Sequence, residues 1–184
     1  MKLESLPEGF GELKNLTKLD MDYCKAMVSL PERFGELPSL TTLRLSTGLA
    51  DKDATYVILS KILTLTSLDL SYVEIQSLSK GFGELKNLQT LNLNWCKCKK
   101  LESLPVGFGD LKNLETLDLE NCEKLVSLPK GFGKLENLQK LNLSYRAMLM
   151  RILRLGKTIV TGSTAPVLGL VLLRVSQSPM ADRS

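Results

Sequence analysis

Residues 114–122 read LETLDLENC, and the same nine-slot phrase recurs at residues 16–24 (LTKLDMDYC), 40–48 (LTTLRLSTG), 65–73 (LTSLDLSYV), 88–96 (LQTLNLNWC) and 138–146 (LQKLNLSYR). The first leucines of successive copies lie 24, 25, 23, 26 and 24 residues apart. Within LxLxx the leucines alternate with polar residues at a period of two, the pattern of a short strand with one buried face. About 18 residues separate one strand from the next, too many for a hairpin, so the strands must pair in parallel with each rung stacked on the last. At a strand spacing of about 4.8 Å, six rungs make a concave sheet about 25 Å along the stack.

A second block, L-x-S-L-P-x-x-F-G-x-L, precedes most copies, at residues 3–13, 28–37, 101–111 and 125–135; residues 75–85 lack only its proline, and the third copy lacks the block. All five phenylalanines, Phe10, Phe34, Phe82, Phe108 and Phe132, fall in one slot of this block and each is followed by glycine. That placement predicts an aromatic spine stacked through the core. With both blocks in view the chain resembles the leucine-rich-repeat family. The spacing near 24 residues, with LP, FG and a ninth-slot cysteine, is most similar to the repeats of plant-type intracellular disease-resistance receptors. The resemblance covers residues 3–146. It implies an α/β leucine-rich-repeat solenoid, a horseshoe of about six repeats with a parallel concave β-sheet and an irregular or short-helical convex side. Residues 1–146 are then the repeat domain and residues 147–184 a non-repeat tail. The family's role would be recognition in signalling or defence.

Composition narrows the function. The 184 residues are 43% hydrophobic and 24% charged and contain no histidine, with mean hydropathy near zero, as expected of one domain with a core. Without histidine, Ser-His-Asp, Cys-His and His-zinc chemistries are excluded, so no enzyme and no cofactor are expected. The net charge is +4, yet residues 1–146 hold 19 basic against 19 acidic side chains and the excess lies in residues 147–184. A neutral body offers phosphate no basic stripe, and nucleic acid is not an expected partner. Residues 1–10 carry Glu4, Pro7 and Glu8 and no apolar run of signal-peptide length, so the expected compartment is the cytoplasm.

Cys24, Cys96 and Cys122 occupy the ninth slot, where the chain leaves the strand and a small buried side chain must satisfy backbone groups of the turn. Cys96 and Cys122 lie on neighbouring rungs, so a disulfide is conceivable, but reduced thiols are expected in the cytoplasm. Cys98 makes a C-x-C pair with Cys96 inside the insertion at residues 97–100. A metal site needs further ligands, and none is expected. The triplets beginning at Gly9, Gly81, Gly107 and Gly131 lack the third glycine of a phosphate loop and recur with the period.

Three polar columns run down the predicted concave face. The fifth slot reads Asp20, Arg44, Asp69, Asn92, Asp118, Asn142; the seventh reads Asp22, Ser46, Ser71, Asn94, Glu120, Ser144. The eighth, Tyr23, Thr47, Tyr72, Trp95, Asn121, Tyr145, collects the single tryptophan and three of four tyrosines. Tyr and Trp dominate binding hot spots because they offer a large apolar surface with a polar handle. The expected role is therefore to dock a protein ligand on Asp20, Tyr23, Arg44, Asp69, Tyr72, Asn92, Trp95, Asp118, Glu120, Asn142 and Tyr145. A purely structural reading, in which the aromatics cover the sheet edge, competes with it. Asp69 and Asp118 sit two rungs apart on an open face that excludes no water, so they read as a solvated column rather than an acid and base pair.

Residues 47–63 lose both LP and FG; Asp51 or Asp53 as cap and Ala54, Val57, Ile58 and Ile62 at helical spacing predict a convex-side helix. In the tail, Met148, Leu149, Ile152 and Leu155 fit one helical face and would cap the last rung. Gly156, Lys157 and Thr158 lack the first glycine of a phosphate loop. Residues 159–175 are too short and too polar for a membrane span, so no membrane partner is expected. The chain starts directly in a repeat, which reads as a fragment. A structural or truncated repeat piece, attached to a membrane through its tail, is the alternative function.

Overall fold

Alternation at slots three to six forces each copy to bury one edge of a short strand, and stacking the copies gives those edges a common interior. The computed structural model describes residues 3–24, 26–45, 52–75, 77–95, 101–122, 124–125, 127–129 and 131–143. It places six strands, β1 (Lys18–Met21), β2 (Thr42–Leu45), β3 (Ser67–Asp69), β4 (Thr90–Asn92), β5 (Thr116–Asp118) and β6 (Lys140–Asn142), side by side in sequence order in one parallel sheet. The register follows the repeat: Leu19, Leu43, Leu68, Leu91, Leu117 and Leu141 form one column, and Asp20, Arg44, Asp69, Asn92, Asp118 and Asn142 the next. The α/β leucine-rich-repeat solenoid is the observed architecture.

First-slot Leu40, Leu65, Leu88 and Leu114 are sealed, as are sixth-slot Leu45, Leu70, Leu93 and Leu119. Leu16, Leu19 and Leu141, on the outer rungs of the described sheet, are half-buried. Burying one leucine side chain contributes about 1.5–3 kcal/mol, so this interior is the principal source of stability.

Ahead of β1, β2, β4, β5 and β6 the chain makes short 3₁₀ turns, at Glu8–Glu12, Glu32–Glu36, Lys80–Glu84, Val106–Asp110 and Phe132–Lys134. Pro7, Pro31 and Pro105 enter the first, second and fourth in the extended conformation that the ring favours. Ser79 replaces proline before the third and donates its hydroxyl to the Tyr56 carbonyl, 3.3 Å away. The turns point their phenylalanines inward: Phe34, Phe82, Phe108 and Phe132 are buried and Phe10 is half-buried. Phe10 stacks on Phe34 at 5.9 Å and Phe108 on Phe132 at 6.4 Å, so the predicted spine takes the form of two stacked pairs, with Leu59 and Phe82 buried in the slots between.

The third repeat carries α1 (Lys52–Leu59) instead of a 3₁₀ turn. Its buried face differs from the expected one. Ala54 and Val57 are exposed, while Thr55, Tyr56, Ile58 and Leu59 are buried and Ile62 follows them inward. The phenylalanine slot lies six residues before each first leucine; counted back from Leu65 it falls on Leu59, whose sealed side chain fills it. Repeat phase, more than helical spacing alone, decides which face turns in. Of the two expected caps, Asp53 falls inside α1 rather than ahead of it, while Asp51 and everything foreseen for residues 147–184 lie outside the described residues.

Polar ladders the sequence reading did not single out tie the rungs together. Asn87, Asn113 and Asn137 donate their side-chain amides to the carbonyls of Leu63, Lys86 and Lys112 at 2.9, 2.8 and 2.8 Å. Thr64 does the same with its hydroxyl to Leu40 at 2.6 Å. Each satisfies a carbonyl that the one-sided rung leaves open.

Candidate docking face

At the end of a strand the polar fifth-slot side chain is local in its first duty. Asp20, Asp69, Asn92 and Asp118 each accept, through Oδ1, the backbone N–H two residues on, at 2.9 Å in all four. These Asx turns bend the chain off the strand. The eighth-slot residue then takes the left-handed conformation: φ is 62° at Tyr23, 62° at Tyr72, 49° at Trp95 and 58° at Asn121. The turn closes when Cys24, Val73 and Cys122 donate their N–H groups to Met21, Leu70 and Leu119.

Asparagine tolerates left-handed backbone; tyrosine and tryptophan pay about 1 kcal/mol or more for it. Their rings do not recover that cost by burial, because Tyr23, Tyr72 and Trp95 remain 79%, 62% and 51% exposed. Tyr72 and Trp95, on adjacent rungs, stack on each other with centroids 6.4 Å apart and planes 15° from parallel. The sequence brought the eighth-slot aromatics into one column, and the structure joins two of them into a single apolar plate at the strand ends.

Charge along the face is unevenly compensated. Arg44 lies among three carboxylates, 3.1 Å from Asp22, 3.6 Å from Asp69 and 3.9 Å from Asp20. On β5 and beyond it Asp118 and Glu120 have no cation within ion-pair distance among the described residues; Glu120 instead accepts the side-chain amides of Asn121 at 3.4 Å and Asn142 at 3.3 Å. Asn92 lies between Asp69 and Asp118 in register. Tyr145 and Cys96 lie outside the described residues. Among those described, no three His, Cys, Asp or Glu side chains are grouped to hold a metal.

A family model for a leucine-rich repeat region matches residues 49–156, more than half of the chain. The chain belongs to the leucine-rich-repeat family. Among solved structures, a leucine-rich-repeat protein of Leptospira interrogans is 31% identical and superposes with a TM-score of 0.64, over 77% of this chain and 34% of that one. The leucine-rich-repeat domain of the type III effector XopL is 24% identical with a TM-score of 0.59, over 76% and 57% of the two chains. The Arabidopsis receptor kinase HAESA, solved with the peptide hormone IDA and the co-receptor SERK1, is 23% identical with a TM-score of 0.56, over 76% and 23%. The chain thus spans about a third of the Leptospira protein. No curated protein sequence matches it. Neither the family model nor these structures single out the plant-type intracellular receptors that its repeat spacing resembles.

The leucine-rich-repeat register also explains the ninth slot. Cys122 is sealed and its thiol donates to the carbonyl of Leu93 on the preceding rung, with Sγ 3.4 Å from the oxygen; Cys24 is half-buried and Val73 fills the slot in the third repeat. Burial, reinforced by the Asp118 charge, pushes the Cys122 thiol up to about 12. The native thiol is therefore expected to resist iodoacetamide at neutral pH and to be alkylated once the chain is unfolded, which peptide mass spectrometry reads directly. A pKa raised in the folded state stabilises the fold below the ordinary 9.0 of a thiol, and the contribution is lost as pH rises toward about 12. Rapid native alkylation of Cys122 would contradict this placement. Among the described residues no helix is long and apolar enough to cross a membrane.

Proposed function

We propose that the chain is a protein-binding module that docks a protein ligand on its concave face, with Tyr72 and Trp95 as the anchor. The observation that carries the reading is the exposed, stacked pair held on left-handed backbone. A position that asparagine fills cheaply at Asn121 holds costly aromatics on the third and fourth rungs, and strain retained without burial points to use. Flanking Asp69, Asn92, Asp118 and Glu120 supply the polar rim that such an anchor needs. The leucine-rich-repeat fold is typically a binding scaffold of this kind. The 24-residue spacing with LP, FG and cysteine supports a cytoplasmic role in signalling or defence-type recognition.

The test replaces Tyr72 and Trp95 together by asparagine, which removes both rings and suits the backbone. The double variant is expected to be at least as stable to urea as the wild type and to lose a partner that the wild type captures quantitatively from native lysate. If the rings merely cover the sheet edge, the variant will unfold at lower urea and keep its partners, and the docking reading fails.

A further inference from the structure

Resting on that docking reading, we infer that the occupant of this face is a cationic segment of a partner protein, an extended stretch whose arginine or lysine lies over Trp95 with its charged head at Asp118 and Glu120. Three observations converge. The first is the asymmetry of charge: Arg44 already serves Asp20, Asp22 and Asp69, whereas Asp118 and Glu120 have no cation within ion-pair distance among the described residues. Lys140, the cation on β6, stands in register with Thr116 and not with Asp118.

The second is position. Trp95 donates its backbone N–H to the Glu120 carbonyl at 2.9 Å, and Leu93 donates to Asp118 at 2.9 Å, so the aromatic plate and the uncompensated carboxylates are on neighbouring rungs. The Asx turn occupies Oδ1 of Asp118 and leaves its second oxygen for a ligand. The third is the chemistry of the plate. An indole face attracts ammonium and, more often, guanidinium groups, and a planar guanidinium can stack on the ring while its edge meets a carboxylate. A neutral or acidic segment would leave both carboxylates without a counter-ion when water is excluded. Because the whole chain carries a net charge of +4, general attraction works against a cationic partner, and capture must come from this local arrangement.

Fluorescence anisotropy of the full chain with a labelled alternating arginine and glycine peptide, and with its glutamate counterpart, tests the inference. Asp118→Asn with Glu120→Gln removes the charges and keeps the turn, since Asn92 makes the same Asx contact. Glu36→Gln with Glu136→Gln removes the same charge from exposed positions outside the strand ends. The arginine peptide is expected to bind in preference to the glutamate peptide and more weakly as salt rises. Affinity should fall about tenfold in the Asp118 and Glu120 variant and in the Tyr72 and Trp95 variant, and stay unchanged in the Glu36 and Glu136 variant. An equal loss in that last variant, or no preference for arginine, overturns the inference. If the wild type ignores the arginine peptide while the aromatic variant still loses its lysate partner, the cationic occupant is wrong and the docking face stands.

Discussion

Phe108→Ala is expected to lower the free energy of unfolding by about 3–5 kcal/mol, the range for emptying a fully buried aromatic site. Phe108 is sealed and lies nearly parallel to Phe132, with centroids 6.4 Å apart and planes 7° from parallel. Its removal deletes one member of a column that runs through successive rungs, and the 3₁₀ turn Val106–Asp110 cannot move inward to close the gap because neighbouring turns already touch. In a solenoid each rung is held only by its neighbours, so the loss should also uncouple β5 and β6 from the rungs before them and broaden the urea transition. Phe108→Leu is the informative companion. Leu59 occupies the equivalent slot of the third repeat and is itself sealed, so leucine fits, and the expected cost is about 1 kcal/mol. Circular dichroism against urea measures both. A cost below about 1 kcal/mol for Phe108→Ala would mean that the slot is not a packed core position.

The contrast between these two substitutions shows what a sequence of this kind discloses. Leucines at slots one, four and six and phenylalanines in a fixed phase are legible because burial follows a period, and the period survives even where α1 replaces the usual turn. Local pattern misled inside that helix, where Val57 looked inward by spacing and Tyr56 was the residue taken into the core. The choice there is made by rungs about 24 residues away in sequence, which no local window contains. The eighth-slot aromatics were legible as a column for the same periodic reason. Their strain was not, since left-handed backbone arises from the Asx turns that precede it. Nor did the fifth-slot carboxylates announce that one oxygen is spent on the chain's own turn, or that Arg44 neutralises one half of the acidic column and leaves the other. Those are facts about neighbours across the sheet.

Gly83→Ala is the second large effect expected, a loss of about 3 kcal/mol, at the upper end of the cost of overpacking a rigid interior. The glycines after Phe10, Phe34, Phe82 and Phe108 are set against the backbone of the next rung, just before the residue that fills its phenylalanine slot. A Cβ on Gly83 would stand 2.8 Å from the carbonyl carbon of Gly107 and 3.0 Å from its Cα, closer than such atoms approach, and its nearest neighbour would be the Gly107 carbonyl oxygen. Gly109 meets Gly131 in the same way, with the carbonyl carbon at 2.7 Å, and Gly35 meets the Ile58 carbonyl oxygen at 3.0 Å. At Gly83 and Gly109 every one of these obstacles is backbone that cannot swing aside, so rungs must separate and the sealed leucines between them lose contact. Ser60 holds the glycine slot in the third repeat, and its Oγ would come within 2.8 Å of a Cβ on Gly81, the residue it faces; a side chain is tolerated on one side only because the other has none. Gly9→Ala supplies the control, since a Cβ there would meet nothing within 4 Å, and the change should be neutral or stabilise by about 0.4–1 kcal/mol through the unfolded chain. Equal urea midpoints for the Gly83 and Gly9 variants would show that backbone contact between rungs does not set the stacking distance, and a midpoint drop confined to Gly83→Ala would show that it does.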